Sequence, residues 1–235
     1  MKDLKDALQT LGLDSSEGTL GKFQRYMDMV LSWNEKVNLT AIKDRDDFIK
    51  MHFIDSLCAA AHEPYAEAAS VIDVGTGAGF PGLPLAIVSP EKNFLLIDSL
   101  NKRIKILNEI IAELGLTNVT AVHGRAEELA RKKEYREGFD ICVSRAVSNL
   151  AVLSEYCLPF IKVGGYLAAY KGPDAAREVA ESGRAFKVLG GAIDQIRDTD
   201  MQKFGIEHRI VYVKKVASTP KAYPRKAGTP ERKPL

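Results

Sequence analysis

The spacing of apolar residues near the start of the chain predicts helices. Apolar side chains recur there at intervals of three and four, at Leu20, Phe23, Met27, Val30 and Leu31. This is the stripe of an amphipathic helix, which we expect to end near Trp33 and Asn34. A second apolar face between residues 44 and 61 predicts another helical stretch, closed by Pro64. The pattern predicts a helical N-terminal extension over residues 1–66.

From Ser70 onward the pattern changes to short apolar runs separated by longer helical stretches. The runs are SVIDV, FLLID, VTAVH, FDICVSR and GYLAAYK. Strands buried on both faces of a parallel sheet have such continuous apolar sequences, and the stretches between them are long enough for crossover helices. Two later runs, VLGGAIDQI and HRIVYVKK, predict an antiparallel pair at a sheet edge. We therefore predict an α/β domain over residues 67–217 with a seven-stranded, mostly parallel sheet.

Composition narrows the class of protein. The 235 residues are 46% hydrophobic, which is ordinary for a globular protein. No run approaches the roughly 20 apolar residues that cross a bilayer. The first residues, MKDLKDALQTLGLD, include acids and lack the continuous apolar core of an export signal. We expect a cytoplasmic protein that does not enter the membrane.

The cysteines and histidines show no metal-binding pattern. Cys58, Cys142 and Cys157 are odd in number and far apart, and the four histidines lack close ligand spacing. We predict reduced thiols in the core and no metal site.

Charge is concentrated in one segment of the chain. The formal net charge is only +2, which does not by itself indicate a nucleic-acid binder. Residues 218–235, however, hold one acid, Glu231, and five bases, at Lys221, Arg225, Lys226, Arg232 and Lys233. The same segment contains four prolines, which favour an extended chain. The sequence predicts a basic, Pro-rich C-terminal tail over residues 218–235.

The strongest local signal is a glycine loop between a strand and a helix. It reads VIDVGTGAGFPGLP over residues 71–84. Glycine permits positive φ and close approach of a ligand to the main chain, and the following helix offers free N–H groups. A dinucleotide pattern is satisfied by Gly77, Gly79 and Gly82, whereas a methyltransferase pattern is satisfied by glycines at 75, 77 and 79 after an acidic strand end. The loop predicts a small-ligand site of either class.

Acidic residues after the next two strands fit both classes of site. An acid near the end of the second strand commonly holds ribose hydroxyls, and Asp98 occupies that place. Its alternative role is to cap the helix that begins near Asn101. After the third strand, residues 124–127 lie where an adenine ring would be bordered, with Glu127 nearby. A cluster of acids at a helix start explains this segment equally well.

Several segments together resemble one family over the length of the chain. They are Trp33-Asn34, Asn38-Leu39-Thr40-Ala41, His52 with Asp55-Ser56, the glycine loop, Asp98-Ser99-Leu100, Lys102-Arg103, Gly124-Arg125-Ala126-Glu127, Ser144-Arg145-Ala146, Lys171-Gly172-Pro173 and Ala222-Tyr223-Pro224-Arg225. In these segments the chain is similar to the RsmG (GidB, glucose-inhibited division protein B) methyltransferases of bacterial 16S ribosomal RNA.

The resemblance implies a fold, a cofactor and a reaction. The fold is the Rossmann-like one of class I S-adenosylmethionine-dependent methyltransferases, with a helical N-terminal extension. The reaction is N7-methylation of a guanine in the 530 loop of 16S rRNA, guanine 527 in the family's rRNA numbering. The methyl donor would contact Gly75, Phe80, Asp98, Ser99, Leu100, Ala126, Glu127 and Arg145, to which the glycine pattern adds Gly77 and Gly79. The family alone assigns Arg145.

The chemistry of guanine N7 makes a general base unnecessary. N7 carries a lone pair and no hydrogen, so no proton must leave before the new bond forms. The fourth strand ends in Ser144-Arg145-Ala146, without the Asn/Asp-Pro-Pro-aromatic segment of the amine methyltransferases. We therefore assign no catalytic acid or base and regard Arg145 and Lys171 as residues that place the reactants. Replacing Arg145 by alanine is expected to leave folding intact and to lower methylation.

Recognition of the RNA is expected from basic surface, because structured RNA is held by phosphate contacts and base stacking. The candidates are Arg103, Arg125, Lys171, Tyr223, Arg225, Lys226 and Arg232. The tail is our first choice, and we expect it to hold RNA without contributing to donor binding. We expect a monomer that acts on 16S rRNA within the small ribosomal subunit or its precursor.

His52 and Asp55 lie three residues apart on a predicted helix, so their side chains face the same side. A structural tie between the extension and the sheet explains this pair better than a role in chemistry.

Two rival functions stay open on the residues alone. A nicotinamide-dependent oxidoreductase would use Gly77, Gly79 and Gly82 for pyrophosphate, but no Tyr-x-x-x-Lys or His/Asp proton relay is visible. A non-enzymatic rRNA assembly factor would retain the donor pocket as a sensor or relic.

Overall fold

The computed structural model describes residues 1–199 and 201–235. The helices are α1 (Lys2–Thr10), α2 (Glu17–Asn34), α3 (Arg45–Phe48), α4 (Asp55–Leu57), α5 (Glu63–Ala66), α6 (Gly82–Val88), α7 (Asn101–Glu113), α8 (Ala126–Leu129), α9 (Leu150–Cys157), α10 (Ala175–Glu181), α11 (Gly183–Leu189) and α12 (Thr229–Arg232). The strands are β1 (Ser70–Val74), β2 (Asn93–Asp98), β3 (Val119–His123), β4 (Phe139–Arg145), β5 (Ile161–Lys171), β6 (Gly191–Asp198) and β7 (Arg209–Lys215). A π-helical turn spans Ile49–Ile54, and 3₁₀ turns span Cys58–Ala61, Leu158–Phe160 and Gln202–Phe204.

The seven strands form a single sheet in the order β3-β2-β1-β4-β5-β7-β6. Strands β1 to β5 pair in parallel, whereas β7 runs antiparallel to both β5 and β6. The predicted seven-stranded, mostly parallel sheet with an antiparallel pair at one edge is confirmed. The order reverses between β1 and β4, and such a switch point opens a crevice at the carboxyl ends of the strands.

Apolar side chains on the strands point alternately to the two faces of the sheet. Along β2, Phe94 and Leu96 join one buried cluster, whereas Leu95 and Ile97 join the other. The first cluster is shared with α1, α2, α6 and α7, and the second with α9 and α11. Because both faces are covered, the strands are continuously apolar, and the fold has three layers.

The helices of the N-terminal extension belong to the same core as one face of the sheet. Phe53, in the π-helical turn, lies 4.9 Å between ring centroids from Phe23 and 5.2 Å from Phe48. The hydroxyl of Tyr26, in α2, donates to the Ala78 carbonyl in the glycine loop at 2.7 Å. The extension therefore packs directly on the segment that the sequence singles out as a ligand site.

Two predicted boundaries are wrong in detail. Pro64 does not close a helix but lies in the first turn of α5. Proline is tolerated there because backbone N–H groups in the first turn make no hydrogen bond within the helix. The run VLGGAIDQI is a strand only from Gly191, because Val188 and Leu189 complete α11. Gly190 ends that helix in the left-handed conformation, at φ +80°. The predicted end of α2 at Asn34 is confirmed.

The C-terminal segment 218–235 is folded back along the sheet domain rather than extended. The guanidinium of Arg136 donates to the carbonyls of Thr219 and Tyr223, at 2.7 and 3.0 Å. Arg131 donates to the carbonyl of Pro224, which is buried. The two arginines therefore hold residues 219–224 of the segment against the sheet domain.

Asp140, in β4, fixes the start of the neighbouring strand β1. Its Oδ2 accepts from the backbone N–H groups of Ala69 and Ser70, at 3.1 and 2.9 Å, and from the Ser70 hydroxyl at 2.7 Å. Its Oδ1 lies 2.6 Å from Nζ of Lys162. Burial alone would raise the pKa of Asp140, but the bonds from Lys162 and Ser70 outweigh it and lower the pKa to about 2.

Asp140→Asn is expected to lower the free energy of unfolding by about 1–2 kcal/mol at neutral pH. The depressed pKa means that this stabilisation is present above the ordinary value of 3.8 and is lost as the pH falls through about 2. The difference in free energy of unfolding between variant and parent, measured with urea, should therefore shrink steadily below pH 4. Asp174→Asn, at an exposed ion pair with Arg177, is the control and should be neutral. A difference that stays constant with pH would contradict this account.

Candidate active site

The glycine loop turns sharply where β1 ends. Gly75, Gly77 and Gly79 have φ angles of +74°, +62° and +107°, in the region that favours glycine. A side chain at Gly79 would also collide with the hydroxyl of Tyr26 and with Leu83. The loop conformation thus requires glycine both for its backbone angles and for the close approach of α2.

A buried carboxylate at the end of β1 holds the base of this loop. Asp73 Oδ2 accepts from the Thr76 hydroxyl at 2.7 Å and from the Gly82 N–H at 2.8 Å. Burial raises the pKa of Asp73 to about 7, against the opposing effect of those two hydrogen bonds. Its other oxygen is buried without a hydrogen-bond partner among the described residues. Asp73 is therefore a residue that shapes the loop, and the acid before the glycines is its sequence signal.

Asp98 links the glycine loop to the end of β2. Its Oδ2 accepts from the Gly77 N–H at 3.0 Å, and its Oδ1 accepts from the Leu100 N–H at 2.8 Å. Arg103 Nη1 lies 3.3 Å from the same Oδ2. The side chain is 4% exposed and borders an open cleft. The alternative role is wrong, because the N-cap of α7 is Leu100 and no side chain caps the helix. Asp98 instead shapes the turn before α7 and at the same time faces the predicted ligand site.

The cleft lies beyond the carboxyl ends of β1, β2 and β3. Among the predicted donor-binding residues, those that line it are Gly75, Asp98, Ser99, Ala126 and Glu127, together with the predicted RNA contact Arg125. Gly124, from the predicted segment 124–127, also lines it. The lining residues that the sequence analysis did not single out as site residues are Val74, Ile97, Val147, Tyr156 and Glu231. Tyr156 comes from α9 and Glu231 from the tail helix α12, so two distant segments complete the cleft.

The other predicted donor contacts lie next to this cleft rather than on its lining. Gly77, Gly79 and Phe80 belong to the glycine loop, and Leu100 precedes α7 with its side chain 52% exposed. Phe80 is almost fully buried and stacks on His52, with centroids 4.4 Å apart and rings inclined by 7°. The Phe80 side chain thus fastens the loop to the N-terminal extension.

Arg145, at the end of β4, is held by the extension. Its Nη1 donates to the Met51 carbonyl at 2.8 Å and to Asp55 Oδ2 at 2.6 Å, and its Nη2 lies 3.0 Å from His52 Nδ1. Its guanidinium carbon is 5.3 Å from the centre of the Phe80 ring. A charged group with this many partners is fixed in place before any ligand arrives.

Asp55 is the buried centre of this polar cluster. Its second oxygen, Oδ1, lies 2.8 Å from Nδ1 of His208, the residue before β7. Burial would raise the pKa of Asp55, but the His208 bond and the Arg145 charge outweigh it and lower the pKa. The bond to Asp55 in turn raises the pKa of His208. The expected structural tie of His52 and Asp55 to the sheet is present in these contacts.

His52 is neutral in this setting. Burial, followed by the neighbouring Arg145 charge, lowers its pKa to about 3. Its Nε2 lies 2.7 Å from the Thr40 hydroxyl, so both ring nitrogens have partners. An imidazole of such low basicity is poorly suited to remove a proton from a substrate.

A second, smaller cleft adjoins the first at the ends of β4 and β5. It is lined by Arg145, Ala146, Tyr170, Lys171, Gly172 and His208. Ala146 borders this cleft and Val147 the first, so the two clefts meet along one short turn. The two residues expected to place the reactants, Arg145 and Lys171, thus lie together. Lys171 is 8% exposed and its Nζ bonds the Ser148 carbonyl at 2.6 Å and Glu178 at 2.8 Å.

The predicted RNA contacts separate into inward and outward residues. Arg225 pairs with the buried Glu155 at 2.6 Å, and the partly buried Tyr223 packs against the core. The side chains of Arg225, Tyr223 and Lys171 therefore contact other parts of the protein. The outward residues are Arg103, which is one-third exposed, and the exposed Arg125, Lys226 and Arg232.

Neither a metal cluster nor a membrane helix is found over residues 1–199 and 201–235. These ranges contain no group of three His, Cys, Asp or Glu side chains placed to hold a metal ion. They also contain no helix that is both long and apolar enough to span a bilayer. Cys58, Cys142 and Cys157 are buried free thiols.

Comparison with known families and sequences gives a consistent match. A family model described as GidB, rRNA small subunit methyltransferase G, matches residues 19–207. The ribosomal RNA small subunit methyltransferase G of Clostridium kluyveri is 51% identical over 225 residues, which cover 96% of this chain and 94% of that protein. The protein of the same name from Clostridium perfringens strain 13 is 48% identical over 232 residues, covering 99% and 97% of the two chains.

Solved structures share the fold at low sequence identity. A putative O-methyltransferase from Klebsiella pneumoniae has a TM-score of 0.53 and 14% identity, over 82% of this chain and 90% of that one. A SAM dependent methyltransferase from Aquifex aeolicus has a TM-score of 0.50 and 20% identity, over 74% and 94%. The predicted Rossmann-like methyltransferase fold with a helical N-terminal part is thereby confirmed.

Arg145→Ala is expected to lower the free energy of unfolding by about 3–5 kcal/mol, because it leaves Asp55 buried with its main partner removed. The contacts of Arg145 thus argue against our expectation that folding survives this change. Arg209→Ala, at an exposed pair with Asp198, is the control and should cost less than about 1 kcal/mol. The double variant Arg145→Ala/Asp55→Ala should recover part of the loss in chemical denaturation. A single variant as stable as the control would show that the cluster does not hold the two parts together.

Proposed function

This chain belongs to the GidB family, rRNA small subunit methyltransferase G, and on that premise we propose that it methylates N7 of a guanine in the 530 loop of 16S rRNA, with S-adenosylmethionine as the methyl donor. One observation supports the position of the donor: the glycine loop is bonded to Asp98 at the rim of the first cleft, with the Gly77 N–H donating to Asp98 Oδ2 at 3.0 Å. Family membership supports the reaction, and the cleft supports its location.

The residues of the first cleft fit such a donor. Asp98 offers a carboxylate at the end of β2, where ribose hydroxyls are commonly bound, and residues 124–127 follow β3 on the side expected for adenine. Glu127 adds a second carboxylate that is only 5% exposed. With Glu231, three carboxylates line the cleft against one cation, Arg125, and this negative balance favours a ligand with positive charge. S-adenosylmethionine supplies a methyl group on a positively charged sulfur.

The second cleft is the proposed place of the target base. It opens beside the first across Ala146 and Val147, which is the arrangement needed to bring two reactants together. Arg145 and Lys171 are fixed cations on its wall, each held by a carboxylate. We propose that they place the base, because groups already held in position need no reorganisation during the reaction.

The transfer needs no proton acceptor from the protein. The lone pair of N7 forms the new bond to the methyl carbon as the carbon–sulfur bond breaks, and the positive charge passes from sulfur to the guanine ring. Among the described residues that line the second cleft, Arg145 and Lys171 are paired with carboxylates, and His208 is paired with Asp55. Catalysis then rests on placement, which supplies up to about 7–11 kcal/mol in favourable cases.

The outward basic residues are the proposed RNA contacts. Arg103 and Arg125 lie around the donor cleft, and Lys226 and Arg232 lie on the tail. We propose that these four hold phosphates. Lys171, Tyr223 and Arg225 contact the protein interior, so we assign them to holding the site in shape rather than to contacting RNA.

In cells that lack this protein, we expect 16S rRNA to lose one methyl group from a single guanine of the 530 loop. Mass mapping of nuclease fragments measures the loss, and chemical cleavage specific for N7-methylguanosine identifies the atom. Restoring the protein should restore the modification. An unchanged fragment mass would refute the activity, whereas a loss at another atom would refute N7 as the target.

Asp98→Ala is expected to reduce methylation of small subunits by at least about 100-fold, because the donor loses its carboxylate partner and the loop loses the bond from Gly77. Transfer of labelled methyl groups to subunits from the deficient cells measures the rate. Glu113→Ala, at an exposed ion pair with Arg25 at the opposite end of α7 from Asp98, is the control and should match the parent. Full activity of Asp98→Ala would exclude this cleft as the donor site.

A further inference from the structure

The C-terminal tail reaches the cleft that we propose for the methyl donor. The N–H of Gly228 donates to Glu127 Oε1 at 2.9 Å, and Glu127 itself lines the cleft. Glu231, three residues later in α12, also lines the cleft. The tail therefore contributes one lining residue directly and holds a second in position.

Several buried contacts fix the tail in this place. Arg225 donates from its backbone N–H and its guanidinium to Glu155 of α9, at distances of 2.6 to 3.1 Å. Glu155 is 1% exposed, so this pair is shielded from water. Pro230 is buried, and Leu235 packs against the core on the α9 face of the sheet. These contacts involve residues before, within and after α12, so this helix is held in a fixed position beside the cleft.

Tyr156 joins the tail to the rest of the cleft. It lies in α9 one residue after Glu155 and lines the cleft with Glu127 and Glu231. Burial, followed by the charges of Glu127 and Glu231, raises its pKa to about 12. The phenol therefore stays protonated and offers a hydrogen-bond donor beside two carboxylate acceptors. A ligand with both hydroxyl and amine groups, such as an adenosine, finds matching partners at this end.

We propose that the tail forms the wall of the donor pocket at its adenosine end, and that Glu231 accepts a hydrogen bond from an O–H or N–H group of the donor's adenosine. This inference rests on the proposed function, which places S-adenosylmethionine in the cleft. It assigns the tail a role in donor binding, which its basic composition does not suggest. Because binding linkage is reciprocal, the donor must also stabilise the docked tail.

The test measures the affinity of the full chain for S-adenosylhomocysteine, the product that retains the adenosine, by isothermal titration calorimetry. Glu231→Ala is expected to weaken binding about tenfold, the value for one hydrogen bond to a charged group. A chain that ends at Lys226 lacks α12 and should bind at least as weakly. Lys233→Ala, next to α12 but not on the cleft, is the matched control and should bind like the parent. Asp98→Ala changes a residue of the cleft outside the tail, and it tests whether S-adenosylhomocysteine binds in this cleft at all.

The outcomes separate this inference from the proposed function. If Asp98→Ala binds weakly while both tail variants stay within about twofold of the parent, the inference is overturned and the donor site stands. If Asp98→Ala also binds like the parent, the donor site is wrong.

A second measurement does not depend on the shortened chain. Trypsin cleavage of the parent after Arg225, Lys226 and Arg232 should slow at least about fivefold at saturating S-adenosylhomocysteine, because the ligand holds the tail in place. Unchanged cleavage together with normal affinity of Glu231→Ala would reject the coupling.

Discussion

The buried ion pair between Arg145 and Asp55 is the contact on which the arrangement of the site depends. Two charges leave water only when each is well compensated, and here Asp55 has Arg145 on one oxygen and His208 on the other. One partner ends β4, one precedes β7, and Asp55 itself lies in the N-terminal extension. The pair therefore fixes the extension on the carboxyl edge of the sheet, where Phe80 of the glycine loop is stacked against His52.

The same interaction recurs around the clefts: a buried carboxylate accepts a hydrogen bond from a backbone N–H group of a neighbouring segment. Asp73 holds the base of the glycine loop, Asp98 joins that loop to β2, and Glu127 holds the tail at Gly228. Each bond compensates a buried charge and satisfies a backbone donor that a turn leaves unpaired. Two of these carboxylates, Asp98 and Glu127, line the first cleft, so groups that shape the cleft also suit the proposed cationic donor.

Fixed charges around the second cleft fit the proposed methylation of a ring nitrogen, which needs no acid or base. Arg145 and Lys171 are held by Asp55 and Glu178, and His52 is kept neutral between Arg145 and Thr40. Such groups place reactants but are poorly suited to exchange protons with them. The distribution of the other cations follows the same logic, since Arg131, Arg136 and Arg225 hold the tail and leave the exposed bases for RNA.

The sequence by itself determined the alternating apolar runs, and so the seven strands, their mostly parallel pairing and the glycine loop between β1 and α6. These features can be predicted from short stretches, because the apolar pattern of a strand and the glycines at positive φ are visible in residues close in the chain. The sequence also identified Asp98 and the segment 124–127, which follow strand ends at one edge. Only the tertiary structure decided that Val147, Tyr156 and Glu231 complete the first cleft, and that Arg225 faces Glu155 rather than solvent. Composition records how many charges a segment carries, but the direction in which each one points is set by partners distant in sequence.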